Sequence, residues 1–228
     1  MLTEGTASAL RRRARGAPVA ERPVVRRPDP IPPAARPLQG LRAGVVSRAI
    51  AGGDFAPIQP VMLDGGRTQP VSVESPRSLT PALDAGRALA VALGVDPATV
   101  TTAPGPATGD ELASVQSAPL IERLRQMMSA SDNVMAESIA REVAGHDQRP
   151  RSFAGAVQAV TDRLSRAGVE MTGATLYDSS GLSVLDRLTA TNLDEVVGLA
   201  AGPDQPALRP LVDLLPVAGG SGTLSDRF

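Results

Sequence analysis

The one place where residues of a named chemical arrangement stand together is the run Ser131, Asp132 and Asn133. A serine hydroxyl can relay a proton, and a carboxamide two residues on can grip a peptide amide or a cation. The same residue types favour helix caps and tight turns, so the triplet by itself fits a structural corner better than a site. The single histidine, His146, offers no partner spacing for a serine. Its Gly-His-Asp-Gln-Arg-Pro setting suits an exposed loop or a capping position.

The basic residues narrow the chemistry. All 23 of the combined lysine and arginine count are arginine. A guanidinium keeps its proton at ordinary pH, so it cannot act as the neutral amine base that a desolvated lysine becomes. Schiff-base chemistry, phosphate-loop lysines and serine-lysine dyads are therefore excluded within these residues. Cysteine is absent too, which removes thiolate nucleophiles, disulfides and sulfur-ligated metals. No cofactor and no metal site is expected.

The net charge of −1, with no single-sign stripe along the apolar-patterned part, argues against nucleic-acid binding. Residues 1–48 are rich in Arg, Pro and Ala without periodicity, from Arg11 to Arg36, and are expected to be a disordered arm. Residues 49–228 form the second region. No run of 18 apolar residues and no signal peptide is found, so the chain as written is expected to have no membrane span and to be cytoplasmic.

The elements that must position Ser131 and Asn133 follow from periodicity. Val61, Met62 and Leu63 before an Asp-Gly turn predict a short strand. Thr80 as a capping hydroxyl and Pro81 in the first turn predict a helix with Leu83, Leu89, Ala90 and Leu93 on its apolar side and Gly94 as its stop. Val100 to Thr102 read as extended. Ser117 with Pro119 starts a second helix, with Leu120, Leu124, Met127 and Met128 on one face, ending near Ser129. A third helix begins near Asn133, with Met135, Ile139 and Val143 recurring, and stops at Gly145. Ser131 thus lies in a tight connection between amphipathic helices. A fourth follows Ser152 through Phe153, Val157, Val160 and Leu164 to Gly168. Val169 to Tyr177 reads as a strand ending in the turn-rich Asp178-Ser-Ser-Gly. Thr191 with Asp194 predicts a fifth helix, with Leu193, Val196, Val197 and Ala200 on its apolar side, closed by Gly202-Pro203. The final glycine-rich stretch reads as loop.

In context the triplet gains meaning. Ser117-Ala-Pro-Leu, Ser131-Asp-Asn-Val-Met-Ala-Glu, Asp178-Ser-Ser-Gly-Leu-Ser, Arg187-Leu-Thr and Leu215-Pro-Val-Ala-Gly-Gly-Ser-Gly-Thr-Leu occur in that order. Together, over residues 51–228, the chain resembles the serine D-alanyl-D-alanine carboxypeptidases of the penicillin-binding group, in the subfamily with large inserted domains. The resemblance implies an α+β, transpeptidase-like domain, helices packed on an antiparallel sheet. It implies acyl-enzyme chemistry on peptidoglycan peptides ending in D-Ala-D-Ala, and binding of β-lactams by the intact family, on the periplasmic or extracellular, cell-wall side. Ser131 would pass a proton toward the leaving amine. Asn133 would hold the substrate's peptide amide and the catalytic lysine, while Asp132 would stabilise the loop.

The chain departs from that pattern in one respect that matters chemically. Without lysine, neither Ser-x-x-Lys nor Lys-Thr-Gly can occur in it, so nucleophile and base are absent from these residues. The expectation is a partial domain, with no peptidase activity of its own. The competing expectations are a non-catalytic module binding peptidoglycan or a partner, and a β-lactamase-type hydrolase on the same scaffold.

Overall fold

The computed structural model describes residues 55–69, 75–103 and 110–227. The expected arm at residues 1–48 lies outside them. The chain divides into two compact units: of the described residues, the first holds 56–68, 77–103 and 110–117, and the second holds Phe55, Gln69, Ser75, Pro76 and 118–227.

In the first unit the strand expected at Val61 to Leu63 does not form. Leu63 is extended, but Asp64–Gly66 closes a 3-10 turn, with the Gly66 amide donating to the Leu63 carbonyl at 2.8 Å. A single antiparallel bridge joins Arg67 to Arg77, too short to be a ladder. Helix α1 spans Pro81–Leu93 and stops at left-handed Gly94, as its sequence predicts. Its start is held differently, because the Thr80 hydroxyl makes no cap. The Gln59 side-chain oxygen instead accepts the Ala82 amide at 2.8 Å. Pro81, Ala85 and Ala90 are buried, whereas Leu89 and Leu93 are exposed, so the covered stripe is the one of compact residues. Beyond it, a 3-10 turn at Pro97–Thr99 is capped by Asp96, and Val100 is extended without pairing into a strand.

The second unit is built on helices. Helix α2 spans Leu120–Ala130, two residues later than a Ser117 cap would place it. Extended Pro119 occupies the cap position, and its carbonyl accepts the Glu122 amide. Helix α3 spans Asn133–His146 and helix α4 Phe153–Arg166, the latter capped by the Ser152 hydroxyl on the Gly155 amide at 3.1 Å. These two pack on each other through Val134, Ala140 and Ala144 on α3 and Phe153, Ala156 and Ala159 on α4, all buried. Alanines let the backbones approach closely. Met135, Ile139 and Val143, the expected apolar face of α3, are only half-buried.

The strand expected from Val169 to Tyr177 is instead a series of turns. It pairs once, at Thr175 with Arg187, where both backbone bonds form at 2.8 and 2.7 Å. Helix α5 spans Ala190–Ala201 with a capping box made by Thr189 and Asn192, not by Thr191 and Asp194. Asn192 is buried there, and its amide also donates to the Glu170 carbonyl at 2.5 Å. Of the apolar side expected for α5, Ala200 is buried while Leu193 and Val197 are exposed. Helix α6, Pro210–Leu214, and a 3-10 turn at Gly222–Leu224 follow. Among the described residues the sheet expected beneath the helices is represented by isolated bridges alone. The helical half of the expected architecture is present.

Candidate functional site

The corner between α2 and α3 holds all three residues of the triplet. Ser131 closes α2 in the left-handed region at φ 51°, and the amides of Ser131 and Asp132 both point back to the Met127 carbonyl. That geometry satisfies an end carbonyl of α2 and reverses the chain. The Asp132 carboxylate turns inward, 4% exposed, and accepts the Met135 amide at 3.0 Å as the cap of α3. Asp132 therefore caps α3 at the corner. Ser131 is left exposed at the apex, and Asn133 stands half-buried in the first turn of α3.

A second segment lies against this corner. A Cβ at Gly222 (φ 62°) would sit 2.9 Å from the Ser129 carbonyl oxygen, so the glycine-rich segment approaches the end of α2 at backbone distance. His146 stands at the opposite end of α3, 13 residues from Asn133 and hence about 20 Å away along the axis. Its side chain is 79% exposed beside Asp147 and Arg163. It belongs to the surface, as its sequence setting suggests.

Sequence reasoning did not single out the most buried charge. Glu137, one turn beyond Asn133 on α3, is 0% exposed. Its carboxylate accepts the Ser179 amide at 2.5 Å and faces the Arg141 guanidinium at 3.4 Å. Ser180 adds a side-chain hydrogen bond. Burial pushes the Glu137 carboxyl above its usual range, against the opposing pull of the Ser179 amide and Arg141. Arg141 lies 4.3 Å above the Phe153 ring, which itself stands 6.0 Å from the Phe55 ring.

The loop that Glu137 holds is organised by another carboxylate. Asp178, 4% exposed, accepts the amides of Ser180, Gly181 and Ser183 at 3.0, 2.7 and 2.7 Å. Asp186 accepts the Tyr177 amide at 2.7 Å, and burial together with nearby Asp178 raises its pKa. The only signal in the sequence for this assembly was the turn-rich composition of Asp178-Ser-Ser-Gly. A glutamate with an arginine four residues later reads as an exposed helix pair until the loop covers it.

Among the described residues no cluster of three or more His, Cys, Asp or Glu side chains is placed to hold a metal, and no helix is long and apolar enough to cross a membrane.

An exposed serine and a half-buried asparagine thus stand at a helix corner, with a glycine-rich segment against it. Residues 62–228 match the D-Ala-D-Ala carboxypeptidase 3 (S13) family, and the chain belongs to that family. It is 68% identical over 180 residues to carboxypeptidase DacB of Mycolicibacterium smegmatis, an alignment covering 78% of this chain and 39% of that protein. A carboxypeptidase of Mycobacterium tuberculosis is 65% identical over 179 residues, with 78% and 39% covered. The crystal structure of penicillin binding protein 4 (dacB) from Haemophilus influenzae, complexed with a β-lactam, superposes with a TM-score of 0.53 at 31% identity, covering 64% of this chain and 34% of that one. The chain thus spans about two fifths of the length of the curated relatives it matches.

Proposed function

We propose that residues 49–228 form part of a serine-type D-alanyl-D-alanine carboxypeptidase domain that acts on peptidoglycan stem peptides at the cell wall, with Ser131 and Asn133 on one wall of its site. The observation that carries this reading is the division of labour within the triplet. Asp132 is buried as a cap, while Ser131 is presented at the apex and Asn133 follows in the first turn. In this reading the helices cover an antiparallel sheet.

In the reaction a serine oxygen attacks the carbonyl of the penultimate D-alanine, the C–N bond to the terminal D-alanine breaks, and the departing amine takes up a proton. Water then hydrolyses the acyl-enzyme and regenerates the serine. Ser131 relays the proton toward the amine. Asn133 holds the peptide amide of the substrate. The attacking serine and its lysine are not supplied by these residues, since none of the 228 is a lysine. The chain alone therefore performs no acyl transfer.

The test has two arms. The purified chain incubated with a fluorescent penicillin is expected to show no covalent band, and a hydrolysis-resistant band would overturn the inactive-chain reading. The aligned segment of this chain, exchanged into the M. smegmatis carboxypeptidase, is expected to preserve labelling that Ser131→Ala or Asn133→Ala abolishes. Labelling of the hybrid unaffected by either substitution would overturn the site assignment.

A further inference from the structure

Glu137 has no part in the reaction just described, yet it is the most deeply buried charge among the described residues that this unit places near the triplet. A buried ionised carboxylate is costly unless it is fully bonded. Its bonds here run in two directions. On its own helix it faces Arg141, and across the chain it takes the Ser179 amide, 42 residues away in sequence. The recipient loop is internally tied by Asp178 through the three amides of Ser180, Gly181 and Ser183. It therefore behaves as one body that is bonded to α3 at Glu137.

Residues 133 and 137 are one helical turn apart and share a face of α3. We infer that Glu137 is a positioning residue: its carboxylate fastens the Asp178–Ser183 loop against the face of α3 that carries Asn133, and so fixes the orientation from which the Asn133 carboxamide meets a substrate peptide. This rests on the reading of Asn133 as a substrate-holding residue. Asp132 fixes the start of the same helix from the other side, through the Met135 amide, so the Asn133 backbone is held between a cap and a clamp.

The experiment uses the full 228-residue chain, comparing wild type with Glu137→Ala and Glu137→Gln. Amide hydrogen exchange and the Asn133 side-chain amide resonance are read together. In Glu137→Ala, the amides of Ser179, Ser180, Gly181 and Ser183 are expected to exchange about tenfold faster or more, the cost of one charge-assisted hydrogen bond. The Asn133 signal is expected to shift or broaden, while the Thr189–Asn192 capping box on α5 keeps its protection. Glu137→Gln retains an acceptor oxygen and is expected to restore most of both readouts.

Faster exchange of the Ser179 amide alone, with an unchanged Asn133 signal, would overturn the inference and leave a purely local bond. Loss of protection everywhere in Glu137→Ala transfers the decision to Glu137→Asp, which withdraws the carboxylate by one methylene. Unchanged loop exchange and an unchanged Asn133 signal in that variant also refute the clamp. These readouts need no catalysis, so an Asn133 substitution that left hybrid labelling intact would remove the functional role of Asn133 without altering them.

Discussion

Phe153 offers the sharpest test of how the second unit is held together. The chain has three phenylalanines and one tyrosine, and two of those rings, Phe55 and Phe153, meet with centroids 6.0 Å apart at 38°. Phe153 is 4% exposed, opens α4, and carries the Arg141 guanidinium 4.3 Å from its ring centre. Phe153→Ala deletes the ring and is expected to cost about 3–5 kcal/mol, the range for truncating a buried aromatic side chain. Phe153→Leu keeps most of the apolar volume. It loses the ring pair, worth about 0.5–1.5 kcal/mol, and the cation contact, worth about 1–2 kcal/mol where the guanidinium is partly desolvated. A loss of about 1.5–3.5 kcal/mol is therefore expected for the leucine variant. Urea unfolding followed by far-ultraviolet circular dichroism reads the difference. With a slope of about 2 kcal/mol per molar, the alanine midpoint falls by about 2 M and the leucine midpoint by about half that. Equal midpoints for the two variants would show that apolar bulk at this position recovers nothing, and would refute the division of the loss into bulk and ring contacts. A leucine variant indistinguishable from wild type would refute the pairing of Arg141 with Phe153.

Other expectations follow from single contacts. Gly222→Ala is expected to cost about 1–3 kcal/mol, combining a left-handed backbone with a carbonyl 2.9 Å from the new Cβ. Gly181→Ala has a similar φ but open space around its Cβ, so in the same melts it should lose only the backbone part, about 1 kcal/mol. Removing the α4 cap with Ser152→Ala should lower stability by about 1 kcal/mol, read as a shift in the urea midpoint at constant slope. Asp147, held by hydrogen bonds from Arg163 and His146, has its pKa lowered from 3.8 to about 2. A depressed carboxyl pKa means the unfolded state binds more protons in that interval, so stability is present above pH 3.8 and drains as pH falls toward 2. Thermal melts of Asp147→Asn should show a flatter acid limb than wild type, and an identical limb would contradict the pairing.

The amino-acid sequence by itself determined the helices and the chemistry that is excluded. Pro81 with Gly94, Ser152 with Gly168, and the Asp132 cap before Asn133 are local signals, because caps and left-handed stops are settled within a turn of backbone. The absence of lysine likewise needs no structure. The chain order of the quoted motifs pointed to the family to which residues 62–228 belong. Tertiary structure decided which faces are covered and which polar groups are drawn inside. The periodic Met135, Ile139 and Val143 suggested the buried face of α3, yet Val134, Glu137, Ala140 and Ala144 occupy it. Helix α4 and the Asp178 loop approach from that side, and small residues with one bonded carboxylate fit where larger apolar ones would not. Val61 to Leu63 and Val169 to Tyr177 have strand-like composition, but the first pairs with nothing among the described residues and the second makes one isolated bridge at Thr175, since a strand is completed by a neighbour and not by its own residues. The capping box at Thr189 and Asn192 displaced the expected one at Thr191 and Asp194 because Asn192 also had a carbonyl to bind, that of Glu170, which is distant in sequence. Glu137 was invisible for the same reason. Its importance comes from a loop more than 40 residues away that folds over it, and only the assembled chain brings the two together.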